Sequence, residues 1–332
     1  MSLFRLRTRG AAELLEREFL APGATLSANA SDRAVPEEPD PWRTAFERDR
    51  DRILHSKAFR RLKHKTQVFM NPEGDHYVTR LTHTLQVTQV GGAIARSLSL
   101  NEALTEAICL GHDVGHSPFG HTGEDALSEF VEDEWRHSDQ SVRIFEVLEP
   151  LNLTSEVLDG VRAHSWKVET PARTPEGAIV RFADRIAYLA HDGLDAIRAG
   201  VLLPSDFPGP VLETLGEPGR EWIGAMIASV VETSMERDEI AMDDRILDVM
   251  LELRGFMFEH VYLRSDIEPQ RIRAREIVRN LVDYYVAHDW EIPDTYRHDD
   301  ADPLTQVIDF VAGMTDRYAI GRHDELFRPQ LF

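Results

Sequence analysis

The apolar residues of this chain recur every three to four positions in block after block, and nowhere do they alternate over the length of a strand. That spacing lines one face of a helix, whereas a half-buried strand needs a spacing of two. It predicts helices over 43–68, 77–98, 101–110, 141–148, 179–192, 221–233, 246–263, 271–288 and 303–318, with Pro- and Gly-rich breaks at 71–74, 170–177 and 204–219. An all-α fold follows, in which helices bury their stripes against one another and further helices extend the core toward the C-terminus. Residues 1–42 carry Ala21-Pro22-Gly23 and Pro36-Glu37-Glu38-Pro39-Asp40-Pro41, and read as a partly flexible arm ahead of one domain over 43–332.

Charge narrows the function. A formal net charge of -21 argues against a general nucleic-acid coating surface, because phosphate binding needs clustered cations. One cluster exists: Lys57, Arg60, Arg61, Lys63 and Lys65 fall within nine residues. It reads either as a solvated helix face or as a patch for a polyphosphate or a single nucleic-acid strand. Cys109 is the sole cysteine and sits in an apolar helical stretch, which favours a buried structural thiol and a reducing, cytoplasmic setting. No run approaches a membrane span, and the apolar stretch behind Arg5, Arg7 and Arg9 is broken by Glu13 and Glu16.

The chemistry concentrates in Leu110-Gly111-His112-Asp113-Val114-Gly115-His116-Ser117-Pro118-Phe119-Gly120-His121-Thr122-Gly123-Glu124. Three histidines and two carboxylates lie within thirteen residues, and imidazole with carboxylate is the donor set a divalent transition metal prefers. A lone His-Asp pair is usually a surface pair or a cap. Here the apolar helix over 101–110, opened by Ser99 and Glu102 at capping-box spacing, would hold His112 and Asp113 still in its last turn. Upstream, Arg80 and His83 are three apart on one helix face. Downstream, Asp184, Tyr188 and Asp192 recur every four residues along a helix whose other side is apolar, and carboxylates so placed need a partner. His137 opens or precedes a further helix.

His83, His112-Asp113 and Asp184 resemble the ligand set of the HD-domain phosphohydrolases. More narrowly, the stretch from Arg43 to Ser56, Phe59-Arg60-Arg61-Leu62, Lys65-Thr66-Gln67-Val68-Phe69, Arg80-Leu81-Thr82-His83 and the central motif resemble the bacterial deoxyguanosine triphosphate triphosphohydrolases. The likeness is strong over about 40–200 and looser beyond.

The resemblance implies an HD-type helical core and hydrolysis of deoxynucleoside triphosphates to deoxynucleoside and tripolyphosphate. It implies one divalent metal, Mn2+ or Mg2+ with Co2+, Ni2+ or Fe2+ as alternatives, on His83, His112, Asp113 and Asp184. His121 and Glu124 match a catalytic His-acid pair, and His137 a histidine near the leaving oxygen. Arg80, His116 and Arg185 match phosphate-contacting positions. Tyr188 and Asp192 match a sugar pocket, Gln67 a glutamine at the sugar and base, and Arg254 and Tyr262 a phosphate-binding Arg and a sugar-stacking Tyr. A homo-oligomer is expected, and an activating nucleotide site is left open. Two rival readings are another HD phosphohydrolase, such as a nucleotidase or cyclic-dinucleotide phosphodiesterase, and a nucleotide sensor or single-stranded nucleic-acid binder. The long basic helix and the Tyr188/Asp192 pair argue against the first, and the basic run gives the second weak support.

Overall fold

The computed structural model describes residues 3–67, 78–299 and 301–329. Among them the sole extended pairing is an isolated bridge between Thr66 and Thr79, so the chain is all-α as its periodicity predicts. The helices are α1 (Arg9–Phe19), α2 (Ala45–His55), α3 (Lys57–Arg61), α4 (Arg80–Ser97), α5 (Glu102–Gly111), α6 (His121–Ser128), α7 (His137–Arg143), α8 (Ser155–Ala163), α9 (Pro175–Arg198), α10 (Gly209–Leu215), α11 (Arg220–Arg237), α12 (Asp244–Met257), α13 (Glu268–Ala287), α14 (Pro303–Ala312) and α15 (Asp316–Phe327). No helix among the described residues is long and apolar enough to cross a membrane.

α4, α5 and α9 pack on one another as the inner layer, with α2 on α5, α8 on both α5 and α9, and α11 on α9 and α4. The layer closes because these helices bury broad apolar faces: Leu104, Ala107, Ile108 and Leu110 on α5, and Ile179, Val180, Ile186 and Leu189 on α9. Each large aliphatic side chain so buried contributes roughly 1.5–3 kcal/mol. Close approach also needs a small residue. A Cβ at Gly91 would meet Cys109 Sγ at 2.8 Å, and Cys109 itself is fully buried, as expected of a structural thiol.

A second apolar core joins Phe119, Ala126 and Leu127 to Val278, Leu281, Val282 and Tyr285 of α13 and to Val307, Ile308, Phe310 and Val311 of α14. The loop between α5 and α6 spans the two cores, leaving the first with Val114 and entering the second with Phe119. It turns sharply there, with φ of 62° at Phe119 and 56° at Gly120. Gly115 is required by crowding: a Cβ would lie 2.3 Å from both His137 O and Ser141 N. The central motif is thus clamped between two packed bodies. That is what holds its histidines still.

Several boundaries differ from the sequence reading. The helix expected over 43–68 breaks at Ser56, whose hydroxyl accepts the Phe59 amide and starts α3; Val68, Phe69, the break at 71–74 and Tyr77 lie outside the described residues. α5 is capped by Asn101 Oδ1, which accepts from the Leu104 amide at 3.2 Å, not by Ser99, which takes φ 55°. The expected 141–148 helix starts earlier, at His137, and ends in a π turn, Ile144–Leu148. The break at 204–219 contains α10, and the helix expected over 303–318 is two, α14 and α15, because Thr315 caps the latter through the Tyr318 amide. Within the N-terminal arm, Thr25 and Ser31 hydrogen-bond through amide and hydroxyl to Glu176 and Glu156, and Arg33 pairs with the buried Asp49.

The basic run over 57–65 is not one patch. Lys65 is buried, with Nζ donating to His116 O and to Ala312 O at 3.1 Å, and Arg61 donates to Gly313 O at 2.7 Å. Lys65 therefore fastens the motif loop to α14, and Arg61 holds the residue that follows α14. Lys57, Arg60 and Lys63 remain exposed.

Candidate metal centre

Four side chains from two helices and the turn after α5 converge at the centre of the inner layer. His83 comes from α4, Asp184 from α9, and His112 and Asp113 from the turn that ends α5. His83 Nε2 lies 3.1 Å from Asp184 Oδ1 and 3.8 Å from Asp113 Oδ2; His112 Nε2 lies 3.3 Å from Asp113 Oδ1 and 3.8 Å from Asp184 Oδ1. His112 Nδ1–H donates to Cys109 O at 2.6 Å, which turns the Nε2 lone pair inward. That Nε2 is buried with no hydrogen-bond partner among the described residues. A buried acceptor facing two carboxylates is costly unless a cation sits among them, so the donor set fits a divalent metal.

The electrostatics agree. Burial alone would push Asp113 and Asp184 up, yet both are held well below the ordinary carboxylate range, Asp113 by His112, Arg80 and His116, and Asp184 by His83 and His112. Burial pushes His112 down, toward the neutral form that can ligate. Arg80 Nη1 donates to Asp113 Oδ2 at 2.7 Å, leaving buried Nη2 without a partner.

Beside this set, Glu124 departs from expectation. It lies three residues from His121 on α6, but His121 is exposed and Glu124 buried, and Glu124 Oε1 faces His116 Nδ1 and His137 Nδ1, the latter at 3.0 Å. The His116 and His137 rings stack with centroids 3.7 Å apart, and the His121 ring stands edge-on to both, at 5.4 and 6.3 Å. His137 Nε2 points to His164 Nε2, 3.1 Å away.

Along α9 the remaining candidates divide. Tyr188 lies against both Arg185 and Arg254, while Asp192 accepts the Tyr262 hydroxyl at 2.8 Å. The Arg185 guanidinium sits 3.8 Å over the Trp166 ring, with Nε buried and unpartnered. Gln67 Oε1 is likewise buried without a partner, and the Gln67 backbone lies near Gly120. Tyr262, 70 residues from Asp192 in sequence, and Arg254, far from Arg185 in sequence, thus join them in space.

The HD domain family matches residues 80–189, and the phosphohydrolase-associated domain family matches 240–325. Two deoxyguanosinetriphosphate triphosphohydrolase-like proteins, from Caldanaerobacter subterraneus and Desulfatibacillum aliphaticivorans, are 45% and 47% identical to this chain. The alignments cover 98% and 96% of the chain and 97% of each relative. The chain belongs to that family of HD-domain phosphohydrolases. A phosphohydrolase of known structure from Bacteroides thetaiotaomicron shares the fold, with a TM-score of 0.51 at 19% identity over 80% of this chain and 66% of that one. The HD match spans His83, His112, Asp113 and Asp184, and the phosphohydrolase-associated match spans Arg254 and Tyr262.

Sequence reasoning passed over His164 and Trp166. A signal for His164 was present: like His112 it follows directly on a helix C-terminus, and its Nδ1–H donates back to Val161 O at 2.7 Å as that of His112 does to Cys109 O. Trp166 carries no such signal, since its role depends on Arg185 arriving from α9.

Burial pushes the Asp192 carboxyl of this HD phosphohydrolase up to about 7, against the Tyr262 hydrogen bond, which favours the ion. A carboxyl raised in the folded state gives stability that is full below the unfolded value of 3.8 and lost as pH rises through about 7. In metal-free protein Asp192→Asn is expected to flatten the fall in Tm between about pH 4 and about pH 8, removing a contribution of at most about 4 kcal/mol. An unchanged slope in thermal melts would count against this reading of Asp192.

Proposed function

We propose that this HD phosphohydrolase cleaves deoxynucleoside triphosphates to deoxynucleoside and intact tripolyphosphate. The observation that carries this reading is a pair of orphaned cationic donors beside the metal ligands: Arg80 Nη2 and Arg185 Nε are buried with no hydrogen-bond partner among the described residues. Buried guanidinium N–H groups left unpaired call for an anion, and a polyphosphate presents its oxygens in the right form.

In this reading His83, His112, Asp113 and Asp184 hold one divalent metal, which supplies a Lewis acid for the α-phosphoryl oxygens. Arg80, Arg185, Arg254 and His116 hold the rest of the polyphosphate and neutralise charge that develops during transfer. Tyr188, Asp192 and Tyr262 close on the deoxyribose edge, and Gln67 offers its unpartnered oxygen toward sugar or base. Water forms a bond to the α-phosphorus as the bond to the sugar 5′-oxygen breaks. That oxygen is a poor leaving group and takes a proton as it departs. His121 and His137 are the rim side chains able to bring one.

The test is where the water oxygen goes. In 18O-labelled water the deoxynucleoside is expected to be unlabelled and the tripolyphosphate to bear one heavy oxygen on a terminal phosphorus. A deoxynucleoside monophosphate with pyrophosphate, or orthophosphate as first product, would overturn the bond assignment. The nucleic-acid-binding alternative draws on the basic run, of which only Lys57, Arg60 and Lys63 are exposed.

A further inference from the structure

Two of the arginines assigned to the polyphosphate lie over aromatic rings. The Arg185 guanidinium carbon is 3.8 Å from the centre of the Trp166 ring, and that of Arg254 is 4.4 Å from the centre of the Phe258 ring. At 3.8 Å a guanidinium nitrogen aimed into the indole would be far inside contact distance, so the Arg185 group lies face-on to the ring. Its N–H groups lie in its own plane and therefore point past the ring edge. One of its nitrogens, Nε, is buried with no hydrogen-bond partner among the described residues. Arg80 is held differently, by a carboxylate: its Nη1 donates to Asp113 at 2.7 Å.

The indole is fixed to α9 itself. Its Nε1–H donates to Arg181 O at 2.8 Å, and its ring stands edge-on to Phe182 with centroids 5.6 Å apart. Arg181 also lies over the ring, farther off at 5.4 Å. Arg181 and Arg185 are four apart on α9 and so share a face, which the turn carrying Trp166 covers. That turn leaves α8 through His164, which is 1% exposed, so the ring is carried by a buried neighbour and not by a free loop tip.

We propose that Trp166 is the positioning residue for Arg185: the indole face holds the guanidinium in place without neutralising it, and so presents its in-plane donors to the polyphosphate. The proposal rests on the reading above in which Arg185 contacts that polyphosphate. A carboxylate would hold an arginine as firmly but would cancel charge that the phosphate oxygens meet, whereas the quadrupole of a ring attracts the cation and leaves its N–H groups free. A lysine would use this seat less well, since its ammonium is more strongly hydrated and has no plane to stack. Asp184 directly precedes Arg185 on α9, so one helix sets a metal ligand and the seated donor in register.

The probe is inorganic tripolyphosphate, titrated into full-length protein in excess Mg2+. Trp166→Leu is expected to weaken its binding about 3- to 30-fold, the span of a cation–π contact between exposed and desolvated settings, while Trp166→Phe, which keeps a ring, stays within about 2-fold of the wild type. In an Arg185→Gln background Trp166→Leu should cost no more than about 2-fold, because the ring acts through the guanidinium. Equal losses from Trp166→Leu with and without Arg185 would overturn the proposal, as would full affinity in Trp166→Leu where Arg185→Gln binds weakly. Full affinity in Arg185→Gln would remove Arg185 from the polyphosphate, and with it the reading on which the proposal rests. Where Trp166→Leu fails to fold, indole emission decides: tripolyphosphate should change it in the wild type but not in Trp166→Phe, and equal changes in both would overturn the seat.

Discussion

Asp113→Ala is expected to abolish metal binding and turnover together. The two Asp113 oxygens lie 2.7 Å from Arg80 Nη1, 3.3 Å from His112 Nε2 and 3.2 Å from His116 Nε2, so one carboxylate balances the charge of the whole centre. Its loss also strands Arg80, which is 2% exposed. Removing one partner of a buried ion pair costs about 3–5 kcal/mol, because the other charge stays buried and unpaired. The helical circular dichroism at low temperature should persist while Tm falls. Metal content, activity and Tm on one preparation check this, and near-normal metal with near-normal turnover would remove Asp113 from the ligand set.

Glu124→Gln should slow turnover about 10–100-fold, the usual effect of removing a carboxylate that orients functional imidazoles. Burial would raise the Glu124 carboxyl, yet the cations His116 and His137 can become hold it well below the ordinary range, so it is ionised through the working pH window. Glutamine keeps the shape but not the charge, and the His116 and His137 rings lose the partner that fixes which nitrogen carries the proton. The effect is expected in kcat more than in KM, because Glu124 reaches the substrate only through those rings. A pure rise in KM would instead make Glu124 a substrate contact. His121→Ala is a useful comparison, since no carboxylate among the described residues hydrogen-bonds to that ring.

Much of the protein follows from local pattern. Periodicity alone requires helices, and the absence of alternation excludes a sheet, because burying an apolar stripe is the same problem wherever the chain repeats it. His83, His112, Asp113 and Asp184 were legible because each stands on, or directly after, an apolar helix with a fixed inner face. That face points each donor toward a common centre once α4, α5 and α9 pack. The run over 57–65 was less legible, since a lysine in water and a lysine donating to His116 O and Ala312 O look alike until α14 arrives.

The partner of Glu124 was decided only in three dimensions. Spacing on α6 offers His121, three residues away, but which way each side chain faces depends on α7 bringing His137 and on the turn after α5 bringing His116. The same holds for Trp166 beneath Arg185 and for Asp316, whose carboxylate accepts the amides of Thr66 and Phe119 at 3.0 Å each and so joins α15 to the motif loop. Sequence spacing sets direction around a single helix axis, because the backbone repeat is local. Meeting across elements depends on how whole faces pack, and that is a property of the entire core.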